Sequence, residues 1–155
     1  MKVLFEPVKV ADIEDLIRVQ NLSFYEDYTK YGYCPGYHCT YDRMKASIEA
    51  RIVYKIVADG HIIGKISVRD DKNGNYFLGC LCVIPAYENK GIGQSAIHFI
   101  EGKLSDAIHC HWSLETPADK ERNLYFYKKC GYHITKEYME KSVKIVLLEK
   151  NKNFH

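Results

Sequence analysis

The chain has 155 residues, a formal net charge of +2, and 46% hydrophobic against 27% charged residues. That length fits one domain with a real core and not two, and so small a charge gives no electrostatic reason to bind nucleic acid or an anionic membrane. No apolar run approaches a membrane span and the N-terminus lacks a charged-then-apolar leader, so a cytoplasmic protein is expected.

Six cysteines (Cys34, Cys39, Cys80, Cys82, Cys110 and Cys130) raise the question of disulfides or zinc. There is no C-x-x-C pair, and the groups Cys34/His38/Cys39 and His109/Cys110/His111 match no common ligand spacing. Without a secretory context neither framework is supported, and no metal is expected. Cys80 and Cys82 lie in apolar strand sequence, where a free cysteine behaves as a small hydrophobe.

Residues 2–8 read as a first strand. A helix follows from about Ala11, with Ile13, Leu16, Ile17, Gln20 and Phe24 at helical spacing and Asp12, Glu14 and Asp15 in its first turn, the end that favours negative charge. The period dissolves in residues 25–41, which hold Tyr25, Tyr28, Tyr31, Tyr33, Tyr37 and Tyr41 with Gly32, Pro35 and Gly36. A long loop is predicted there, functional rather than disordered because it is so aromatic.

A short helix over residues 42–50 precedes two strands, 52–58 and 62–68, joined by the hairpin signal Asp59-Gly60. A second turn at Asn73-Gly74 leads into a strand over 76–83. Pro85 stops it, and a glycine turn at Lys90–Gly93 opens a helix with Ile92, Ala96, Ile100 and Leu104 four apart. The run 109–116 reads as a strand broken by Pro117, and residues 121–130 as a helix ending at Gly131, a typical left-handed cap. Strands over 133–139 and 143–149 follow, and the last residues are expected to fray.

The order is β-α-α-β-β-β-α-β-α-β-β: an α/β (α+β) chain with a mixed, mostly antiparallel sheet flanked by helices. Residues 1–150 form the single expected domain and 151–155 a polar tail. The strands on either side of the glycine-turn helix are expected to be parallel neighbours, since the helix crosses over between them.

Two motifs in this order resemble the GCN5-related N-acetyltransferase (GNAT) superfamily. The family's loop Gln/Arg-x-x-Gly-x-Gly/Ala stands here as Glu88-Asn89-Lys90-Gly91-Ile92-Gly93, after Val83-Ile84-Pro85. Its Phe/Leu-Tyr-x-x-x-Gly-Phe/Tyr stands as Phe126-Tyr127-Lys128-Lys129-Cys130-Gly131-Tyr132. The resemblance covers nearly the whole length and implies an acyltransferase that moves the acetyl group of acetyl-CoA, its cosubstrate, to a primary amine of a small molecule or peptide by direct attack.

It also implies roles for residues. Glu88, Asn89, Lys90, Gly91, Ile92, Gly93, Gln94 and Ser95 form the cofactor-binding loop and helix start, with Lys90–Ser95 supplying the backbone N–H groups for the pyrophosphate and Gly91 and Gly93 allowing close approach. Leu81, Cys82 and Val83 lie along the pantetheine arm, and the Val83 N–H holds the thioester carbonyl. Tyr127 protonates the departing thiolate; the bland reading is an aromatic at a helix end with its hydroxyl at the edge. Where the family places a pantetheine-binding Asn, Lys120 stands; Asn123, on the same face as Tyr127, is either its substitute or a solvent-facing residue. Glu88 is a further departure, since a carboxylate beside a pyrophosphate is unfavourable.

The strand 76–83 contains no acid to deprotonate the amine. Glu115 is the best acidic candidate, alternating onto one face with His111 and Ser113; Glu26, Asp27, His38 or a water chain are alternatives. Tyr25, Tyr28, Tyr31 and Tyr33 fall where the family forms its acceptor pocket, and tyrosine faces suit a cation or an aromatic ring. A packed flap or a homodimer contact is the competing reading. The rival function is a non-catalytic acyl-CoA-binding sensor, and a ping-pong route through Cys82 has no adjacent base in sequence.

Overall fold

At Asp59-Gly60 both residues take left-handed backbone (φ 53° and 77°), and the chain reverses between β2 (Ile52–Ala58) and β3 (His61–Asp70). The same device at Lys72 and Gly74 (φ 66° and 85°) reverses it again into β4 (Asn75–Val83). The computed structural model describes residues 1–105 and 109–153. Before the hairpins come β1 (Val3–Pro7), α1 (Ile13–Tyr31) and α2 (Tyr41–Ala50); after them α3 (Ile92–Leu104), β5 (His109–Pro117), α4 (Glu121–Lys129), β6 (His133–Glu140) and β7 (Val143–Asn153).

The strands form one seven-stranded sheet in the order β1-β2-β3-β4-β5-β7-β6. Every neighbouring pair is antiparallel except β4 and β5, which run parallel and pair only from Asn75 with His111 to Phe77 with Ser113. Beyond those three pairs the two strands part. Gly79 is the extra residue of a bulge in β4, because Ser67 faces Cys80 while Val68 faces Leu78. A Cβ at Gly79 would collide with the Arg51 guanidinium.

One face of the sheet is covered by the apolar stripe of α3, whose Ile92, Ala96, Ile97 and Ile100 are buried with Ile66, Val68, Trp112 and Leu114. Each of these buried isoleucines stabilises the fold by about 1.5–3 kcal/mol. The other face carries α1 and α2, where Ile13, Leu16 and Met44 form a second cluster. The end of α3 is pinned to the parallel pair: the Tyr76 hydroxyl donates to Leu104 O at 2.7 Å, and Trp112, stacked on Tyr76 at 4.7 Å, donates to Ser105 Oγ at 3.0 Å. Glu101, 2% exposed, accepts from Lys150 (2.8 Å) and the Tyr132 hydroxyl (2.9 Å), tying α3 to β7 and to the turn after α4.

Two expectations are corrected. The tyrosine-rich segment is not one long loop: α1 runs to Tyr31, so Tyr25, Tyr28 and Tyr31 are helical, and Gly32 (φ 66°) ends the helix with its N–H on Tyr28 O. The apolar period fades because this half of α1 projects its tyrosines outward. What remains of the loop folds back on the helix, with Gln20 donating to Gly36 O (2.8 Å) and Tyr37 stacked on Tyr28 (4.6 Å). The expected fraying is also wrong for residues 151–153, which continue β7 and pair with 109–111; residues 154 and 155 lie outside the described residues. No helix among the described residues is long and apolar enough to cross a membrane.

Candidate active site

Where β4 and β5 part, a cleft of about 670 Å³ opens between the second half of α1, the end of β4, the start of α3 and α4. Its floor is Leu81, Cys82 and Val83. Ile84 N–H donates to Ile63 O at 2.9 Å, and Gly64 faces Val83. Antiparallel ladder bonds alternate, so the N–H groups of Leu81 and Val83 point away from β3, toward the side from which β5 has withdrawn.

At one mouth the first helical bond of α3 is Ser95 N–H to Gly91 O (3.1 Å), with Gly91 as a left-handed N-cap (φ 77°). The N–H groups of Ile92, Gly93 and Gln94 therefore have no acceptor within the helix, at the end of the macrodipole that attracts anions. A Cβ at Gly93 would meet the Phe126 ring at 3.1 Å, so only glycine fits between α3 and α4 without displacement. Glu88 and Asn89 share this mouth with Arg122, the second residue of α4. The Arg122 guanidinium donates to Asn89 Oδ1 at 2.8 Å and lies 3.9 Å from the Glu88 carboxylate.

Tyr127 forms the inner wall, 8% exposed, edge-on to Phe126 at 5.0 Å and to Tyr132 at 6.1 Å. Burial, then the neighbouring thiols Cys80, Cys130 and Cys82, push its phenol far above the ordinary tyrosine value. Among the described residues its hydroxyl has no hydrogen-bond partner. Asn123, one helical turn earlier, donates to Thr116 Oγ1 at 3.2 Å and lines the same wall.

Opposite, α1 supplies Ser23, Phe24, Glu26, Asp27 and Tyr31. Two of these bind across to the β5–α4 connection. Lys120 pairs with Asp27 at 2.7 Å, and the Tyr31 hydroxyl donates to Asp119 at 2.6 Å. That hydrogen bond holds the Asp119 carboxyl below its usual value, and burial followed by Asp119 drives the Tyr31 phenol upward. The Glu26 carboxylate, exposed on the cleft, has no partner among the described residues.

Of the site residues expected from sequence, Leu81, Cys82, Val83, Glu88, Asn89, Gly91, Ile92, Gly93, Gln94, Asn123, Tyr127 and Tyr31 line this one cleft. Lys90 and Ser95 flank it without lining it. Glu115 stands apart, exposed on β5 and accepting a hydrogen bond from Tyr138 of β6. Tyr25 and Tyr28 pack on Tyr37 and Tyr28 on His38, outside the lining. Tyr33 donates to Glu140 at 3.1 Å beneath the Lys141 ammonium.

Sequence reasoning missed Arg122, the Lys120–Asp27 pair and Lys65. Lys65 is buried on β3 directly opposite Cys82, bonded to Gln20 Oε1 (2.5 Å) and Met44 Sδ (3.5 Å). A lysine in the middle of the mostly apolar run 62–68 was the available signal. Next to it the Cys82 thiol hydrogen-bonds Cys80; this bond, aided by Lys65 and Arg51 and opposed by burial, lowers the Cys80 thiol. The same bond together with burial raises Cys82.

The family model for the acetyltransferase (GNAT) family matches residues 15–132. No curated protein matches the sequence. Among solved structures, the PaiA N-acetyltransferase from Thermoplasma acidophilum in complex with coenzyme A is 20% identical, with 98% of this chain and 100% of that one covered at a TM-score of 0.83. The ribosomal-protein-S18-alanine N-acetyltransferase from Escherichia coli is 10% identical, with 99% and 96% covered at 0.80. A GNAT family acetyltransferase from Elizabethkingia anophelis with acetyl-CoA bound is 15% identical, with 96% and 97% covered at 0.69. These likenesses are of fold; the family model spans most of the chain, and the protein belongs to the acetyltransferase (GNAT) family, whose cosubstrate is acetyl-CoA.

Proposed function

We infer that the protein is an N-acetyltransferase that passes the acetyl group of acetyl-CoA to a primary amine of a small molecule or peptide, in the cytoplasm. The observation that carries this reading is the parting of β4 and β5 directly between a free helix N-terminus and the Tyr127 hydroxyl. The residues fit the cosubstrate. A row of N–H groups at Ile92–Gln94 with no acceptor in the helix suits a pyrophosphate, and the left-handed Gly91 turns the loop into that helix start. The outward N–H of Leu81 offers a strand-like bond to the pantetheine arm and leaves that of Val83 for the thioester. When bound, acetyl-CoA supplies the activated thioester.

The chain's own groups then divide the work. The Val83 N–H polarises the thioester carbonyl and holds the negative charge that develops on its oxygen. The amine nitrogen forms a bond to the carbonyl carbon while the carbon–sulfur bond breaks. Tyr127, whose raised phenol stays protonated at neutral pH, gives its proton to the departing sulfur. For the amine proton we propose Glu26, directly or through water, because it is the carboxylate on the α1 side of the cleft that has no partner among the described residues. Asp27 is committed to Lys120, and Glu115 to Tyr138 away from the cleft. Asn123 keeps an amide oxygen for the pantetheine arm, while Lys120, at the family's asparagine position, spans to α1 instead. The Escherichia coli neighbour, by its name an acetylating enzyme for a protein's alanine, supports a peptide amine as one acceptor class.

Thermal-shift measurement with CoA and acetyl-CoA, followed by free-thiol release with a panel of amines, tests the reading. Stabilisation by both and thiol release with at least one amine is expected. Stabilisation without turnover on any amine leaves a binding module, and no stabilisation removes the reading altogether.

A further inference from the structure

The cofactor mouth carries a charge pattern that the loop alone does not explain. Glu88 puts a carboxylate beside the N–H row of Ile92–Gln94, where an anion is to sit. Across the mouth, Arg122 occupies the first turn of α4, the helix end where a cation is electrostatically disfavoured. Helix stability therefore gives no reason for Arg122 to be there. Its side chain is 72% exposed, yet it is held over the mouth by Asn89 Oδ1 at 2.8 Å and Glu88 at 3.9 Å. The Glu88 contact is long enough to orient the guanidinium without saturating it, since five N–H donors leave several unused.

We propose that Arg122 is a pyrophosphate-binding residue: it supplies from α4 the positive charge that the loop lacks at Glu88, and Glu88 holds it in place until the phosphate displaces the carboxylate. A guanidinium fork matches phosphate oxygens bidentately and binds them more strongly than it binds a carboxylate nearly 4 Å away. The anion then lies between two donors of different origin, backbone N–H groups of α3 and the side chain of α4. Binding at this mouth joins the two helices that Gly93 and Phe126 already bring into contact. Glu88 becomes both a positioning residue and a competitor, so its removal has the opposite sign from removal of Arg122.

This inference rests on the acetyltransferase reading and is tested by steady-state kinetics with three acyl donors: acetyl-CoA, its 3′-dephospho form, and acetyl-pantetheine, which has no phosphate. Arg122→Ala is expected to raise KM about ten-fold for the first two donors, as for loss of an exposed charge-assisted hydrogen bond. It should leave kcat/KM for acetyl-pantetheine unchanged and kcat within about two-fold on all three. Arg122→Lys should recover only part of the loss. Glu88→Gln should lower KM for acetyl-CoA, and the Arg122→Ala penalty should shrink as salt screens it. An equal loss with acetyl-pantetheine, or no loss with any donor, overturns the proposal. A penalty that disappears with the 3′-dephospho donor also overturns it, by moving the contact to the 3′-phosphate. Wild-type protein that neither binds nor turns over acetyl-CoA would instead sink the acetyltransferase reading, a failure visible before any variant is made.

Discussion

The two ends of the cleft are built from different materials. The end proposed for the cofactor is mostly backbone, outward amides of β4 and the first N–H groups of α3, with Arg122, Asn123 and Tyr127 as its side chains. The end proposed for the acceptor is side chain: Glu26, Asp27 and Tyr31 from α1 facing Asp119 and Lys120 across the opening. Backbone groups are placed by the fold and tolerate most substitutions, whereas each acceptor-side group depends on one residue and its partner. The first end can stay constant while the second changes its substrate.

The comparison breaks most completely if the scaffold under the cofactor end is removed. Glu101→Ala leaves Lys150 and Lys152 facing a buried gap, and the loss of a buried ion-pair partner is expected to lower stability by about 3–5 kcal/mol. Chemical denaturation measures this. An unchanged midpoint would mean that the cluster does not hold α3 against β7.

A smaller effect separates chemistry from scaffold. Tyr127→Phe is expected to lower kcat about a hundred-fold with KM for acetyl-CoA little changed. Because burial raises the phenol, the wild-type rate should show no alkaline fall from this group up to about pH 10, the ordinary tyrosine value. Full activity of the variant across that range would remove the acid from Tyr127.

At the acceptor end, Glu26→Gln is expected to reduce kcat about ten-fold at neutral pH. The loss should close as pH rises, since an amine that is already neutral needs no base. A loss constant with pH would leave Glu26 as a binding residue only.

The smallest effect concerns the thiols beneath the floor. Cys80 is lowered to about 7, so its alkylation should be half-maximal near that pH, against about 8.5 for an ordinary thiol. A thiol whose folded value lies below the unfolded one adds stability above the unfolded value, and that increment is lost as pH falls through about 7. Cys82, shifted the other way, reverses the trend at higher pH. Stability should therefore climb from about pH 7 to about pH 8.5 and then turn over, and Cys80→Ser should flatten the climb. Alkylation with an ordinary pH midpoint would show that the Cys82 hydrogen bond, with Lys65 and Arg51, does not outweigh burial at the sulfur.

What the sequence revealed follows the same division. The element order, the hairpin turns and the glycine turn that opens α3 were legible because they depend on local signals: left-handed glycines, a four-residue apolar spacing in α3, a proline after β4. The far half of α1 was not, because its tyrosines are held by a returning loop rather than by an apolar stripe. Arg122 with Asn89, Lys65 with Gln20 and Lys120 with Asp27 are separated by 33, 45 and 93 residues, and no local pattern announces such partners. Glu115 shares a face of β5 with His111 and Ser113, but the Tyr138 hydroxyl takes up its carboxylate there, a partner from β6 that strand alternation does not reveal.

The three-residue pairing of β4 with β5 has a mechanical consequence as well. Seven strands joined there by so short a seam form two boards, one of four strands and one of three, held together by the Tyr76–Trp112 stack and by α3, which packs across both. Any molecule that bonds to both sides of the gap adds a brace at the place where the strands themselves have parted. Occupancy of the cleft then stiffens the sheet at its open end.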